Sequence, residues 1–359
     1  MHHIEGTACP ALQKSLKSVR PAILLLVSLP DRMDMSCRLY IGFFLLSIAL
    51  LLNSCHHVPS DNGLTKVSLQ ADWYPQPEHG GFYTALEKGY YKQEGLDVEI
   101  HSGGPYLSAY QQVASGGAQL GMGASDRILE GVAEGQPLVA VAATMQHDPQ
   151  GIMVHADSPV HSFADLNGHS VAVLPGATWF RFLTKRYQLN NVHEVPATMS
   201  VANFIANPNY IQQAFATSEP FFARQAGVEP RLLLVSDSGF DTYRVMFTTR
   251  EFLQKHPDVI AKFVRASLHG WRDYLSDPSV AHTAVARLNP ALSPAWMQFS
   301  WQQLKDGQFV TGPATDGSQL GQMDPARWTA LYKQLLDLKV IDKEINPTTA
   351  YTLQFVKPN

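Results

Sequence analysis

Runs of alternating and continuous apolar residues divide the chain after residue 65 into short strands separated by amphipathic helices. The segment "KVSLQA" at 66–71 alternates polar and apolar residues as a half-buried strand does, and three further strand-like runs follow: "LDVEIHS", "AQLGMG" and "PLVAVAATM". The segments between them have helical spacing and glycine-rich ends, as in "GGFYTALEKGYYKQEG", "YLSAYQQVASGG" and "SDRILEGVAEG". This rhythm predicts an α/β fold, with a parallel sheet covered by helices on both faces.

A second unit with the same rhythm begins near residue 150. It contains a strand at Ser170–Leu174 and the strand-then-helix segment "IQQAFATSEPFFARQAG". Beyond it the pattern becomes helical, with a long amphipathic run from Pro257 to Asp277. We expect the helical part to return to the first unit. The predicted lobes are therefore 65–149 plus 244–359 (lobe 1) and 150–243 (lobe 2), with hinge crossings near 148–152 and 240–245.

The N-terminal region has the pattern of an export signal. After Arg38 comes "LYIGFFLLSIALLL", fourteen uncharged residues that suit the apolar region of a signal peptide better than a membrane span. The run ends in "LNSC", which resembles a bacterial lipobox and predicts lipidation of Cys55; an ordinary secretory signal with a chance cysteine is the alternative. We interpret 1–54 as leader and signal peptide, with 1–32 a mis-called start before Met33 or Met35, and 55–64 as a tether.

Composition excludes several classes of function. Charged residues make up 16% of the chain, the formal net charge is −4 and no basic stretch occurs, so nucleic acid is not an expected partner. The cysteines are Cys9, Cys37 and Cys55, so the exported part has no disulfide, cysteine-ligated metal or cysteine nucleophile. The sequence contains no G-x-S-x-G, P-loop or H-E-x-x-H pattern. We expect a monomer without metal or cofactor.

Glycine-rich loops follow four of the predicted strands. They are "ADWYPQPEHGGFY" at 71–83, "HSGGPY" at 101–106, "GMGASD" at 121–126 and "LPGATW" at 174–179. Ligands of open parallel sheets bind at the carboxyl ends of strands, where such loops lead into helix N-termini. The four loops together predict a ligand cleft between the lobes.

Four segments resemble the solute-binding lipoproteins of bacterial ABC importers, in the branch that binds sulfonates, nitrate and pyrimidine precursors of thiamine. They are "DWYPQPEHGGFYTALEKGYYKQEGLDVEI", "VASGGAQLGMGASDRILEGVAEGQPLVAVAATMQ", "DLNGHSVAV" and "TSEPFFARQAG". The resemblance covers about residues 65–275. It implies a two-lobed periplasmic-binding-protein fold of type II and a membrane permease and ATPase as partners. The Asp-Trp-x-Pro start resembles the pyrimidine-precursor binders, although Gln76 stands where those proteins usually have Asn.

The loops and the resemblance together select the candidate ligand residues. We expect Trp73 or Tyr74 to stack on a planar ligand, and the Glu219 carboxylate to accept hydrogen bonds from an amino group. Several candidates have structural alternatives: helix capping for Ser125 and Asp126, a hinge contact for Gln146, and a salt bridge from Glu219 to Arg181 or Arg224. The full candidate set is Asp72, Trp73, Tyr74, His79, Gly80, Tyr83, Gly104, Ser125, Asp126, Gln146, Thr178, Trp179 and Glu219.

The expected function is capture of a small nutrient outside the cytoplasm by a lipid-anchored binding protein. A thiamine pyrimidine precursor or related heteroaromatic is the favoured ligand. The alternatives are a sulfonate or nitrate ligand, a pyrimidine-synthase-like enzyme and a sensory domain of the same fold. A positive residue in the cleft would favour the anion, whereas an inward-facing Glu219 would oppose it.

Overall fold

The computed structural model describes residues 63–198, 200–314 and 316–356. The predicted leader, Cys55 and most of the tether lie outside the described residues. Within the part of the chain that is described, none of the helices combines the length and apolar character needed to cross a membrane.

Two five-stranded sheets organise the described chain. The first has the order β2-β1-β3-β10-β4, from the strands Thr65–Gln70 (β1), Leu96–His101 (β2), Leu120–Ala124 (β3), Leu138–Met145 (β4) and Arg244–Thr249 (β10). The second has the order β7-β6-β8-β5-β9, from Gln150–His155 (β5), Ser170–Val173 (β6), His193–Pro196 (β7), Ile211–Phe215 (β8) and Pro230–Leu234 (β9).

Each sheet is mixed, with four strands running one way and one running against them. In the first sheet β1 pairs in parallel with β2 and β3, whereas β10 is antiparallel to β3 and β4. In the second sheet β6 pairs in parallel with β7 and β8, whereas β5 is antiparallel to β8 and β9. The antiparallel strands β5 and β10 are the first strands after the two crossings between sheets. The α/β class is confirmed, and the predicted parallel sheets each gain this one reversed strand.

Helices cover the sheets as the apolar spacing predicts. Their bounds are Gly80–Glu87 (α1), Tyr90–Gln93 (α2), Ala109–Ala114 (α3), Ser125–Ala133 (α4), Thr178–Arg186 (α5), Ala202–Ala206 (α6), Glu219–Gln225 (α7), Arg250–Lys255 (α8), Pro257–Ser276 (α9), Ser279–Leu288 (α10), Pro294–Asp306 (α11) and Pro325–Asp337 (α12). The helix expected over 80–95 is split into α1 and α2, because Gly89 between them has a φ of 74°, which ends a right-handed helix.

The long C-terminal helix α9 packs on α1 of the first lobe. Its Trp271 and Tyr274 are fully buried. The two helices approach closely because α1 begins with two glycines. A Cβ at Gly80 would lie 2.2 Å from the Tyr274 ring, and one at Gly81 would lie 2.2 Å from the Trp271 ring.

The chain passes between the two sheets twice. It leaves the first sheet between Met145 and Gln150, and it returns between Leu234 and Arg244. Both passages fall near the predicted crossings. The residue boundaries of the lobes, 65–149 plus 244–359 and 150–243, stay predictions.

Candidate functional site

A cavity of about 340 Å³ is lined by residues of both sheets. The first lobe contributes Asp72, Trp73, Gln76, Glu78, Tyr110, Ala124, Arg127, Met145 and Arg244, and the first crossing contributes Pro149. The second lobe contributes Ala172, Leu174, Ala197, Thr198, Ser200, Tyr210, Gln212, Gln213, Phe215, Ser218 and Glu219. Loops at strand ends supply many of these residues, which is the position expected for a ligand site in this class of sheet.

An ion-pair network lies along the lobe 1 side of the cavity. Arg244, the first residue of β10, donates through Nη2 to Asp72 Oδ2, and its Nη1 lies 3.3 Å from Asp148 Oδ2. His79 Nε2 lies 2.9 Å from the other Asp72 oxygen. Burial opposes ionisation of Asp72, but Arg244 and His79 outweigh it and lower the pKa of Asp72 to about 2. The Arg244 charge is therefore balanced by two carboxylates.

Glu78 lies in a short 3₁₀ helix, Pro77–His79, directly before α1. Its side chain is 8% exposed and lines the cavity. The Thr217 hydroxyl donates to Glu78 Oε1, and the Trp296 indole N–H donates to the Thr217 carbonyl oxygen over 3.0 Å. The second oxygen, Oε2, is buried and has no partner among the described residues. Burial raises the pKa of Glu78, and the bond from Thr217 only partly opposes this.

Glu219 lines the cavity from lobe 2, at the first position of α7. The Phe215 N–H donates to Glu219 Oε2 over 2.7 Å, and within the described chain no lysine or arginine pairs with this carboxylate. The predicted alternative partners are engaged elsewhere: Arg181 donates to the Leu338 carbonyl oxygen and Arg224 pairs with Glu229. Burial raises the pKa of Glu219, and the negative charge of Glu78 adds to the rise.

A second cavity of about 360 Å³ adjoins the first and shares Ala124, Arg127, Leu174, Gln213 and Arg244 with it. Three predicted residues, Asp126, Thr178 and Trp179, line this second cavity. The Thr178 hydroxyl donates to Glu130 Oε1 over 3.2 Å, which links α5 to α4. Burial raises the pKa of Asp126 to about 7, and the neighbouring Glu130 contributes to the rise.

The remaining predicted residues lie outside both cavity linings. Tyr74 is 48% exposed and packs edge-to-face on Trp73, with ring centroids 5.7 Å apart. Gly104 lies beside the Tyr74 ring, where a Cβ would come within 3.2 Å of it. Tyr83 is buried in the hydrophobic core of the first lobe.

Four more of the predicted residues have structural contacts. His79 Nε2 contacts Asp72 Oδ1, and Gly80 packs against the Tyr274 ring. Ser125 Oγ accepts from the Tyr243 N–H over 3.0 Å, next to the second crossing. Gln146 Nε2 donates to the Gln319 and Gln322 carbonyl oxygens over 2.8 and 3.0 Å, so it ties the first crossing to the C-terminal region, in line with the hinge alternative.

Sequence reasoning missed Glu78 and Arg244. Glu78 lies inside the loop "ADWYPQPEHGGFY", between Pro77 and the glycines that begin a helix. A carboxylate at that position could have been included among the candidate ligand residues. Arg244 is the charged first residue of the otherwise uncharged "RVMFTT", a strand that was not predicted. Among the described residues no cluster of three or more histidine, cysteine, aspartate or glutamate side chains is arranged to hold a metal ion.

A family model described as "NMT1/THI5 like" matches residues 76–281. Riboflavin-binding protein RibY of Chloroflexus aurantiacus is 23% identical over 304 residues, which cover 82% of this chain and 86% of that protein. The formylaminopyrimidine-binding protein of Halalkalibacterium halodurans is 25% identical over 249 residues, or 66% of this chain and 75% of that protein. 4-amino-5-hydroxymethyl-2-methylpyrimidine phosphate synthase THI11 of Saccharomyces cerevisiae is 24% identical, over 64% of this chain and 72% of that protein.

Solved structures share the two-sheet arrangement. The periplasmic aliphatic sulphonate binding protein SsuA of Escherichia coli superposes with a TM-score of 0.64 at 15% identity, covering 81% of this chain and 98% of that one. A Candida albicans protein described as having the generic periplasmic binding protein fold superposes with a TM-score of 0.56 at 12% identity, covering 80% of this chain and 96% of that one. The predicted periplasmic-binding-protein fold is confirmed.

Proposed function

The chain belongs to the NMT1/THI5-like family, and from this premise and the chemistry of the first cavity we propose that it is a solute-binding protein of an ABC importer. Its ligand is a small heteroaromatic compound with an amino group, of the kind found in pyrimidine precursors of thiamine. The relative from Halalkalibacterium halodurans, whose name states that it binds formylaminopyrimidine, supports this ligand class.

One observation carries the proposal: Glu219 lines the cavity and has no cationic partner among the described residues. A half-buried carboxylate without a cation is stabilised by N–H donors, and an aromatic amine supplies them. Trp73, Tyr210 and Phe215 line the same cavity and offer apolar surfaces for a planar ring.

The charge balance disfavours a sulfonate or nitrate ligand. Arg244 lines the cavity, but Asp72 and Asp148 already pair with it. Arg127, which also lines the cavity, pairs with Glu130 at 2.5 Å. An anion would therefore have to compete with existing carboxylate partners for either guanidinium, and it would also meet the negative charge of Glu219.

We propose that the protein binds its ligand without transforming it. The relatives include both binding proteins and phosphate synthases, so family membership alone leaves both activities open. Binding is favoured over catalysis because the chain has no cysteine after residue 55 and therefore no thiol nucleophile there. His79 contacts Asp72 instead of lining the cavity, so its imidazole is not placed to act as a base on the ligand.

We further propose that the protein works outside the cytoplasm, held to a membrane by lipid on Cys55, and delivers its ligand to a permease. The lipobox-like "LNSC" after the apolar run supports the anchor. Cys55→Ala is expected to release the protein from the membrane fraction, and mass spectrometry of the wild-type N-terminal peptide should show added lipid. Unchanged fractionation of the variant together with an unmodified wild-type peptide would contradict the anchor.

Calorimetric titration with three compounds tests the ligand class. We expect 4-amino-5-hydroxymethyl-2-methylpyrimidine to bind, and an alkanesulfonate and riboflavin to bind more weakly or not at all. Glu219→Gln should weaken binding of the aminopyrimidine about tenfold or more, because a charge-assisted hydrogen bond is lost. The matched control is Glu229→Gln, which alters an exposed carboxylate outside the cavity lining. Preferential binding of the sulfonate would refute the proposed ligand class.

A further inference from the structure

A second carboxyl group faces the proposed ligand site from the lobe opposite to Glu219. Glu78 belongs to the loop after β1, whereas Glu219 follows β8 of the second sheet, and both line the first cavity. The two carboxyl groups therefore come to one cavity from separate lobes. The inference drawn from them rests on the proposed function and specifies which form of the ligand is bound.

The contacts of the two side chains leave oxygen atoms available on each. Glu78 uses Oε1 to accept from Thr217, and its Oε2 has no partner within the described residues. Glu219 uses Oε2 to accept from the Phe215 N–H, and within the same part of the chain no side-chain donor to its carboxylate is found. Each carboxyl group thus retains an acceptor that the described protein does not use.

His79 is a positive group that acts on Glu78, where it opposes the rise in pKa, and none of the described lysine or arginine side chains pairs with Glu78 or Glu219. The charged and titratable groups around Glu78 are Asp72, His79, Glu219 and Tyr274, and of these only His79 can carry a positive charge. His79 Nε2 is directed to Asp72, and Asp72 is shared with Arg244. Two carboxylates enclosed together without a cation repel each other and lose hydration, so enclosure requires a bound proton or a positively charged ligand.

We propose that Glu78 and Glu219 form a carboxyl pair that holds the amidine edge of the ligand, namely a ring N–H and the adjacent exocyclic NH₂, and that the ligand is bound with a positive charge. A 4-aminopyrimidine fits this role because protonation of its ring nitrogen produces two adjacent N–H donors that share one charge. The proton comes from the solvent when a neutral ligand binds. As the ring N–H bond forms, the O–H or N–H bond of hydronium or the buffer acid breaks, and no other covalent bond changes.

Proton uptake by the wild-type protein is the direct test. Calorimetric titration with 4-amino-5-hydroxymethyl-2-methylpyrimidine is repeated at one pH in buffers of different ionisation enthalpy, and then over a range of pH. A neutral aminopyrimidine that is bound as its cation takes up one proton, so we expect uptake of about one proton per bound ligand near neutral pH, and weaker binding as the pH rises. The 4-hydroxy analogue, which lacks the amino donor, should bind at least about tenfold more weakly.

Substitutions test the contribution of each carboxyl group separately. Glu78→Gln should weaken binding about tenfold or more and reduce proton uptake, and Glu219→Gln should do the same. The double variant should lose less than the sum of the single losses, since the two groups act on one ligand edge. Thr217→Val, which removes only the hydroxyl bonded to Glu78, serves as a milder variant if Glu78→Gln does not fold.

The outcomes distinguish the inference from the proposed function. Binding of the aminopyrimidine with no proton uptake and with full affinity in Glu78→Gln would overturn the carboxyl pair and leave the proposed ligand class standing. Failure of the wild-type protein to bind the aminopyrimidine would overturn the proposed ligand class, and the carboxyl pair with it.

Discussion

Removal of the Arg244 side-chain charge should destabilise the protein at neutral pH and do so less at acidic pH. Arg244→Met keeps much of the aliphatic stem and removes the guanidinium that joins Asp72 to Asp148. All three side chains are largely buried, with exposed fractions of 21% for Arg244, 15% for Asp72 and 13% for Asp148. The variant therefore leaves two poorly hydrated carboxylates without their shared cation.

The magnitude follows from the pKa of Asp72. Its folded-state pKa of about 2 lies below the ordinary value of 3.8, a difference that corresponds to about 2 kcal/mol of folding free energy at pH 7. Burial raises the pKa of Asp148 while Arg244 opposes that rise, so the loss of Arg244 adds a further penalty there. His79 still contacts Asp72 in the variant. We expect a total loss of about 2–4 kcal/mol at pH 7.

The sign of the pH dependence distinguishes charge from packing. Because the folded pKa of Asp72 is depressed, the wild-type stabilisation is present above pH 3.8 and is lost as the pH falls through about 2. In the variant both carboxyl groups protonate at higher pH, so the difference in unfolding free energy should shrink as the pH falls below neutral. Denaturant unfolding at pH 7 and pH 4 measures it, with Arg244→Lys as the charge-retaining control. An equal loss at both pH values would refute the electrostatic explanation.

Three further changes test other parts of the structure. Gly81→Ala should lower the unfolding free energy by about 1–3 kcal/mol in denaturant titrations, because the new Cβ would meet the Trp271 ring at 2.2 Å. Trp73→Ala should weaken aminopyrimidine binding by about 1–3 kcal/mol in calorimetry with little change in ligand-free melting temperature, whereas a large fall in melting temperature would make Trp73 a core residue. Burial raises the pKa of Asp126 from 3.8 to about 7, so stability falls as the pH rises from 3.8 to about 7, because the carboxyl ionises in the unfolded chain while the folded chain keeps its proton. Asp126→Asn should therefore stabilise the protein at pH 8, by at most about 4 kcal/mol, and have little effect at pH 3.5 in denaturant titrations.

Local sequence patterns predict the elements of this fold well, and they predict strand direction less well. Strands β1 to β4, β6 and β8 and the helix α9 follow from alternating, continuous or helical apolar spacing, because buried positions impose such spacing on a sequence. The reversed direction of β10 depends on its insertion between β3 and β4, which lie about a hundred residues earlier in the chain. No spacing within "RVMFTT" indicates those neighbours.

The candidate site shows the same division between local and tertiary information. The loops that reach the cavity could be identified, and Asp72, Trp73 and Glu219 line it. Tyr83 follows Gly80 at helical spacing and lies in the core, because α1 turns that face toward α9. The sequence indicates which loops follow the strands, but the packing of helices that are distant in the chain decides which residues of those loops line the cavity.

The proposed ligand class depends on uncompensated charge and not on the presence of one charged residue. A positive residue in the cleft was expected to favour an anionic ligand, and Arg244 does line the cavity. Its pairing with Asp72 and Asp148 removes that implication, since a guanidinium already neutralised by two carboxylates contributes little net field to the cavity. Glu78 and Glu219 have no such partner within the described residues. The carboxyl groups without a cationic partner therefore lie where the two lobes meet, and the proposed ligand would bring them N–H donors and positive charge.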